Sequence, residues 1–176
     1  IKAVTLTGST PAGKSIAAHA GTYLKKTVLE LGGSDPYVVL ADADLELAAS
    51  KCVTSRLINS GQSCIAAKRF IVHKDICERF TQRVIDLMKT RTYGDPLGEI
   101  QPDIGPMARV DLRDELHGQV TQSVEMGSNV ELGGFIPEMH GAFYPPTVLS
   151  NVKPGMPAYD EELFGPVAAI IAAESD

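Results

Sequence analysis

One cysteine of the sequence lies in a setting that suits covalent chemistry. Cys64 falls within NSGQSCIAAKRF (residues 59–70), just after Gly-Gln and before a run of small residues, so little bulk surrounds its thiol. A thiolate is a strong nucleophile, although a lone cysteine is often buried and inert. The other two, Cys52 and Cys77, fall on apolar stripes of helical segments, and we expect both to be buried. The odd count, without Cys-x-x-Cys or Cys/His spacing, argues against a disulfide framework and against a metal site.

Two glutamates are the candidate acids and bases. Glu30 lies in LELGG (29–33), at the end of an apolar strand, where a buried carboxylate is costly unless it is paired or protonated, and where it can act as a general base. The alternative is an exposed position on a half-buried strand. Glu162 lies in DEELFGPV (160–167), where its carboxylate can bind hydroxyl groups and the nearby Phe164 can pack against a flat ring. The alternative here is a solvated acidic loop with a phenylalanine in the core.

A turn with two glycines is the candidate anion site. GSTPAG (8–13) joins a predicted strand to a predicted helix, and the backbone N–H groups of such a turn can bind an anion at the helix N-terminus. Its spacing is neither the usual dinucleotide fingerprint nor a P-loop, so the alternative is a tight turn with close helix packing. The histidines have no triad or metal spacing, which leaves a carboxylate as the expected base beside Cys64. They are His19, His73, His117 and His140.

Alternating strands and helices must position these residues. β-Branched and apolar runs predict strands, and apolar residues at helical spacing after a Ser, Thr or Asp cap predict helices. The predicted strands are residues 2–8, 27–33, 36–42 and 68–73, with three more in NVELGG, YPPTVLSNV and GPVAAIIAA. The predicted helices are residues 9–25, 45–59, 75–90 and 108–126, and a Gly- and Pro-rich loop covers 93–106. This alternation is typical of an α/β fold with a largely parallel sheet and flanking helices.

Composition narrows the class of function. The chain has 176 residues, 44% hydrophobic and 22% charged, which is ordinary for a globular protein with its own core. A net charge of −6 with scattered basic residues argues against nucleic acid as a partner, and no apolar run approaches the ~18 residues of a membrane span. Cysteine usage favours a reducing, cytoplasmic location.

Because the chain opens at Ile1 without Met and stops just after an apolar run, we expect a segment of a larger protein.

Four motifs, in this order, carry a resemblance to a known family. TLTGSTPAGKSIA, VLELGGSDPYVVLADADLELA, NSGQSCIAAKRFIV and DEELFGPV together resemble the aldehyde dehydrogenase superfamily, and the resemblance covers essentially the whole chain. The block GPMARVDLRDELHGQV (105–120) is most similar to the bacterial succinate-semialdehyde dehydrogenases. The resemblance implies an oxidoreductase that uses NAD or NADP to oxidise succinate semialdehyde, or a similar small aldehyde, to the acid.

The resemblance also implies a role for each candidate residue. Cys64 would form a thiohemiacetal and then a thioester with the aldehyde, and its backbone N–H would stabilise the oxyanion. Glu30 would deprotonate the water that hydrolyses the thioester. A carboxylated substrate would need a cation, for which Arg69 and Arg109 are the candidates. The implied cofactor-binding residues are Gly8, Ser9, Gly13, Leu31, Glu162 and Phe164.

The implied organisation has two parts. Residues 1–31 would be the tail of a Rossmann-type dinucleotide-binding domain, and residues 32–176 a catalytic domain incomplete at its C-terminus, with Cys64 in a loop at the cleft between them. The family's second oxyanion donor and most of its cofactor domain would lie upstream, so the segment alone is predicted to be inactive. The full-length protein is expected to be a homo-oligomer.

Two other functions are compatible with the same motifs. One is a catalytically silent module of this fold that assembles through uncovered edge strands and apolar faces. The other is a related acylating enzyme that passes the thioester to coenzyme A. That second route needs no water-activating base, so the presence of Glu30 favours hydrolysis.

Overall fold

Two compact units make up the described part of the chain. The computed structural model describes residues 1–175, which divide into Ile1–Gly33 and the residues from Ser34 onward. The boundary lies in residues 31–35, a stretch without regular secondary structure. Within residues 1–175, no helix is both long enough and apolar enough to cross a membrane.

The first unit is a β-α-β motif whose two strands are parallel neighbours. Its elements are β1 (Ala3–Thr7), α1 (Thr10–Thr22) and β2 (Lys26–Glu30). α1 begins after Ser9, whose hydroxyl accepts a hydrogen bond from Ala12 N at 3.4 Å, as the predicted Ser/Thr cap requires. The helix ends three residues before the predicted position 25, because Leu24 takes a left-handed backbone conformation with a φ of 50°.

The second unit is built on a five-stranded sheet. In spatial order its strands are β3 (Pro36–Val39), β4 (Arg69–His73), β7 (Val167–Ala173), β6 (Thr147–Ser150) and β5 (Asn129–Leu132). Neighbouring strands are parallel except β5 and β6, which are antiparallel. Parallel neighbours need a crossover, usually a helix, whereas the β5–β6 connection contains none. The predicted α/β fold with a largely parallel sheet is confirmed.

The helices of the second unit follow the predicted pattern with small shifts. They are α2 (Leu45–Leu57), α3 (Lys74–Lys89), α4 (Val110–Glu125) and the short α5 (Pro157–Asp160). The carboxylate of Asp44 caps α2 by accepting a hydrogen bond from Leu47 N at 3.0 Å. α5 was not predicted, because four residues are too few to display a helical period.

The core of the second unit lies on both faces of its sheet. On one face, Ala168 and Ile170 of β7 belong to an apolar cluster that includes residues of α2 and α3. On the other face, Val167 and Ala169 join a cluster that includes residues of α4. A strand covered on both faces shows no polar alternation, which is why β7 reads as the continuous apolar run VAAIIAA.

Candidate active site

The segment that carries Cys64 begins where α2 ends, and we refer to residues 59–67 as the Cys64 loop. Asn59, Ser60 and Gly61 have φ values of 50°, 55° and 76°, so three successive residues are left-handed. This turn ends α2 two residues earlier than predicted. A side chain at Gly61 would overlap the carbonyl group of Gly165, so glycine is needed there for space as well as for its φ. Such a conformation persists only where the surrounding structure holds it.

Polar side chains of the Cys64 loop attach it to the segment that precedes α4. Ser60 Oγ donates to Gly105 O at 3.2 Å, and Gln62 Oε1 accepts a hydrogen bond from Ala108 N at 2.8 Å. Within the loop, Asn59 Nδ2 donates to Gln62 O at 3.0 Å. Each polar residue of the Asn-Ser-Gly-Gln run therefore uses its side chain to fix the backbone in front of the cysteine.

Lys68 holds the loop from its C-terminal side. Its side chain is only 1% exposed, and Nζ donates to Ser63 O at 3.1 Å and to Cys64 O at 2.8 Å. The same Nζ lies 3.0 Å from Glu162 Oε1, in an ion pair that is not aligned as a hydrogen bond. A buried ammonium group needs polar partners, and Lys68 has two carbonyl acceptors and one carboxylate counter-charge.

Arg56 of α2 is a second buried cation. Its Nη2 donates to Gly61 O at 2.5 Å, while Nε and Nη1 have no hydrogen-bond partner among the described residues. Burial lowers the pKa of Arg56 to about 10, and the negative charge of Glu162 opposes that shift. The carboxylate of Glu162 therefore interacts with two buried cations, and both of them bind carbonyl groups of the Cys64 loop.

The cysteines differ sharply in exposure. Cys64 is free and exposed, so the alternative of a buried thiol is wrong for this residue. Cys52 is 2% exposed, as predicted, and burial raises the pKa of its thiol to about 12. Cys77 is half-buried rather than buried, and desolvation raises the pKa of its thiol against a hydrogen bond from Thr81. Among the three thiols, that of Cys64 is the most exposed to an incoming electrophile.

The acidic turn of the second candidate glutamate is fastened to α4. Gln119 Nε2 donates to Glu161 Oε2 at 2.8 Å and to Glu162 O at 3.3 Å. The side chain of Glu162 is 24% exposed, so this carboxylate is neither fully solvated nor fully buried. Leu163 is buried, but Phe164 is 38% exposed, so the alternative that placed this phenylalanine in the core is wrong. A fixed carboxylate close in sequence to an exposed aromatic ring suits a ligand with hydroxyl groups and a flat ring.

Glu30 lies at the end of β2, in the first unit, with its side chain exposed. Side chains alternate along β2, where Thr27 and Leu29 turn inward and Glu30 outward. Of the two alternatives left open for Glu30, the exposed strand position is therefore correct and the buried, costly carboxylate is wrong. An exposed carboxylate can take part in proton transfer, and its role as a base remains a prediction.

The Gly8–Gly13 turn of the first unit combines packing with an open backbone. Gly8 N donates to Glu30 O at 3.0 Å, which joins the turn to the end of β2. Gly13 is buried, and a side chain there would overlap that of Leu31, so close packing accounts for this glycine. Gly8 and Ser9 are exposed before the N-terminus of α1, so the surface of the turn is open to a ligand although the N–H of Gly8 is already bound to Glu30 O.

Both arginines considered for a substrate carboxylate already have partners. Arg69 donates from Nε and Nη2 to Ser34 O, at 3.0 and 2.8 Å, and its guanidinium lies 5.8 Å from the ring centroid of Tyr159. Arg109 binds Asp111 through two hydrogen bonds, of 2.9 and 2.6 Å. The described residues therefore offer no support for either arginine as the substrate's counter-ion.

The histidines take no part in a metal site within the described residues. Across residues 1–175, no group of three His, Cys, Asp or Glu side chains is arranged to hold a metal ion. His117 Nδ1 lies 3.1 Å from the hydroxyl of Tyr144. Burial raises the pKa of Tyr144, so that hydroxyl stays protonated at neutral pH.

Sequence reasoning missed Arg56 as part of the site and left open whether Lys68, close to Cys64 in sequence, points toward it or away from it. Lys68 is two residues before the buried Phe70, so the period of a strand placed it on the inward side. Arg56 follows the buried Cys52 at a spacing of four, so the period of a helix placed it on the buried face. A charged residue at a predicted core position is a signal of its own, because burial of its charge requires a specific partner.

Comparison with known proteins assigns the family. The model of the aldehyde dehydrogenase family matches residues 1–176, so the chain belongs to this family, as its four motifs predicted. It is 54% identical over 174 residues to the succinate semialdehyde dehydrogenase Sad of Escherichia coli K12, named for NAD(P)+, covering 99% of this chain and 37% of that protein. It is 49% identical over 173 residues to the NADP(+) succinate-semialdehyde dehydrogenase of Mycobacterium avium, covering 98% and 36%.

Solved structures agree with the fold. The lactaldehyde dehydrogenase of Escherichia coli superposes with a TM-score of 0.96 at 39% identity, covering 99% of this chain and 37% of that one. A betaine aldehyde dehydrogenase of Staphylococcus aureus, solved with NAD+, superposes with a TM-score of 0.93 at 30% identity, covering 99% and 35%. The chain thus spans little more than a third of the length of the proteins it matches.

Proposed function

We propose that the protein carrying this chain is an NAD(P)-dependent aldehyde dehydrogenase that oxidises succinate semialdehyde, or a similar short carboxylated aldehyde. The observation that carries the proposal is the exposed thiol of Cys64 on a loop held by two buried cations. Covalent catalysis depends on the position of the attacking atom, so a firmly held loop suits a nucleophile. The substrate class rests on the relatives named as succinate-semialdehyde dehydrogenases, at 54% and 49% identity.

The residues present fit a nicotinamide dinucleotide, which would supply the hydride acceptor. Glu162, with Oε1 held by Lys68, would bind the hydroxyl groups of the nicotinamide ribose. The exposed Phe164 would line the nicotinamide site. In the first unit, Gly8 and Ser9 would lie beside the pyrophosphate, because backbone N–H groups at a helix N-terminus favour an anion.

Two other residues of the first unit would support binding of the dinucleotide indirectly. Gly13 and Leu31 would keep α1 packed close to the end of β2, which sets the position of the turn.

We assign residues 1–31 to the end of a dinucleotide-binding domain and residues 32–176 to a catalytic domain. The match of this chain to about a third of each relative supports a longer protein.

Cys64 would carry the covalent steps. Its thiolate adds to the aldehyde carbon, and the oxyanion of the thiohemiacetal accepts a hydrogen bond from the backbone N–H of Cys64. Loss of hydride from that carbon leaves a thioester on the sulfur. Glu30 takes a proton from a water molecule that attacks the thioester, which releases the acid and the thiolate.

The test is a panel of aldehydes with NAD+ and NADP+ on the full-length protein, read by the absorbance of the reduced cofactor. Cys64→Ala is expected to abolish activity, whereas the control Cys52→Ala keeps it, since Cys52 is a core residue. Glu30→Gln is expected to give a stoichiometric burst followed by slow turnover, because the acyl group forms but is hydrolysed slowly. Activity in Cys64→Ala, or full turnover in Glu30→Gln, contradicts the proposal.

The segment by itself is proposed to be inactive, and the full-length protein to be a cytoplasmic homo-oligomer. Loss of one oxyanion donor already costs about 10²–10³ in rate in other enzymes, and the segment would lack most of a cofactor domain as well. Aldehyde-dependent cofactor reduction by the pure 176-residue chain would contradict the first statement. Gel filtration and light scattering of the full-length protein test the oligomer.

A further inference from the structure

The contacts of Lys68 carry an inference that goes beyond the proposed function and rests on it. We propose that Lys68 is a positioning residue that couples Glu162 to the Cys64 loop. A ligand bound by the Glu162 carboxylate, such as a ribose hydroxyl, would thereby change the reactivity of the Cys64 thiol.

The first support is the pattern of contacts. One buried Nζ contacts two consecutive carbonyl oxygens of the loop, Ser63 O and Cys64 O, and one carboxylate oxygen from a distant part of the chain, Glu162 Oε1. The carbonyl of Cys64 belongs to the residue that bears the thiol, so a shift of that bond moves the residue itself. With the lysine only 1% exposed, solvent offers little replacement for a lost partner.

The second support is the arrangement of charge. Glu162 Oε1 is buried and has no aligned hydrogen bond among the described residues, so its interaction with Lys68 is electrostatic and free to change in geometry. Arg56, which binds Gly61 O of the same loop, also interacts with the charge of Glu162. A change in the partners of one carboxylate therefore acts on both cations that hold the loop.

The expected coupling follows from competition for the carboxylate. Hydroxyl groups that bind Glu162 draw negative charge away from Lys68, and the ammonium group then relies more on the carbonyl groups of Ser63 and Cys64. The loop tightens, and the thiol changes its position and its rate of attack. In the opposite direction, a reaction at Cys64 that displaces its carbonyl weakens the hold on Glu162, because binding linkage is reciprocal.

The test is the rate at which iodoacetamide alkylates Cys64 in the full-length protein, read by peptide mass spectrometry across a range of pH. The protein is compared with Lys68→Met, Glu162→Gln and the double variant, each without nucleotide and with saturating NAD+ or NADP+. We expect Glu162→Gln to change the rate at least about twofold, the lower end for residues coupled in one network. We expect the effect of nucleotide to disappear in Lys68→Met, and the double variant to match Lys68→Met.

A matched control comes from an exposed pair of the same chemistry. Lys74 Nζ lies 2.9 Å from Glu174 Oε2, and both side chains are largely exposed. Lys74→Met and Glu174→Gln are expected to leave the alkylation rate, its pH profile and its response to nucleotide unchanged. A similar response in the control pair would mean that the effect is one of general charge, and the proposal would be overturned.

The design remains decisive if one variant does not fold. Lys68→Met removes a buried charge, so its folding is checked by circular dichroism and thermal melting. Glu162→Gln keeps the size of the side chain and leaves Lys68 in place, so it decides the question by itself. The coupling would be overturned if Glu162→Gln had the same alkylation rate, pH profile and nucleotide response as the unmodified protein. It would also be overturned if the rate change in the double variant equalled the product of the changes in the two single variants.

The same measurements separate this inference from the proposed function. If calorimetry detects no binding of NAD+ or NADP+ to the unmodified protein, the proposed function fails, while the nucleotide-free comparison of Glu162→Gln still tests the coupling. If a nucleotide binds and alters the alkylation rate equally in the unmodified protein and in Lys68→Met, the proposed function stands and the coupling fails.

Discussion

The Cys64 loop and the Gly8–Gly13 turn each connect two elements through glycines, yet they are held in different ways. In the turn, no residue has a positive φ, and Ser9 bonds to Ala12 within the same helical turn. In the loop, three successive residues are left-handed, and the hydrogen bonds reach segments far away in sequence, such as Gly105. The turn uses ordinary backbone conformations and is held within the first unit, by its cap and by contacts of Gly8 and Gly13 with the end of β2, whereas the loop keeps its left-handed shape only while distant parts of the second unit hold it.

That difference matters for chemistry. A backbone conformation that is locally unfavourable is held in one geometry only by many contacts. Here two buried cations bind carbonyl groups of the loop, and Gly61 packs so closely that there is no space for a side chain. Such a loop presents its thiol in a defined position and responds when a supporting contact changes. The turn, in contrast, needs no left-handed residue, and its position is set by β2 through the Gly8–Glu30 hydrogen bond and the packing of Gly13 on Leu31.

The largest expected effect is the difference in alkylation rate between the exposed thiol of Cys64 and the buried thiol of Cys52. In the folded protein near neutral pH, iodoacetamide is expected to label Cys64 at least about 10²-fold faster than Cys52, because Cys52 is buried with a raised pKa and reacts only as the thiolate. Peptide mass spectrometry measures the rates, and labelling in concentrated urea is the control that should bring them together. Equal, slow labelling of all three cysteines would favour the catalytically silent module.

Gly61→Ala is expected to be the most damaging of the glycine substitutions. Alanine at a φ of 76° costs about 1–2 kcal/mol, and its side chain would also overlap the carbonyl of Gly165, so we expect a loss of at least about 2 kcal/mol in the free energy of unfolding. Equilibrium unfolding in urea measures this loss in the free energy of unfolding. The control is Gly118→Ala in α4, where the added group meets no neighbour and is expected to stabilise by about 0.5–1 kcal/mol. Equal stabilities of the two variants would contradict this picture of the loop.

Gly13→Ala tests the corresponding position of the turn and is expected to cost less. The added group would overlap only the side chain of Leu31, which can move, so overpacking of about 1–3 kcal/mol is reduced by the better helix propensity of alanine, worth about 1 kcal/mol. We expect the alkylation rate of Cys64 to stay unchanged. A loss of stability greater than that of Gly61→Ala would reverse the comparison of the two regions.

Ser9→Ala is expected to have the smallest effect. The cap bond to Ala12 N is long, at 3.4 Å, and exposed, so its removal should cost about 0.5 kcal/mol, the low end for N-cap residues. Thermal unfolding followed by circular dichroism measures this change. A Ser9→Asp variant, which keeps a capping side chain, is the control and should retain the stability of the unmodified protein.

Much of the fold could be predicted because strands and helices have periods that a short stretch displays. The parallel sheet, the cap at Ser9 and the apolar run of β7 were all visible in local patterns. The same rule failed where a feature depends on partners. For Glu30 the local pattern left a buried and an exposed position open, and the antiparallel β5 has no local mark of its direction.

The sequence by itself determined that the chain has an α/β fold, that Cys64 and Glu162 lie in motifs with chemical potential, and that the whole resembles aldehyde dehydrogenases. Those conclusions depend on residue types and short spacings, which a linear chain carries in full. Only the tertiary structure decided that Cys64 is exposed, that its loop is left-handed, and that buried Lys68 joins it to a carboxylate nearly a hundred positions away. The physical reason is that a buried charge must find its partner in space, and that partner is chosen when distant segments close on one another.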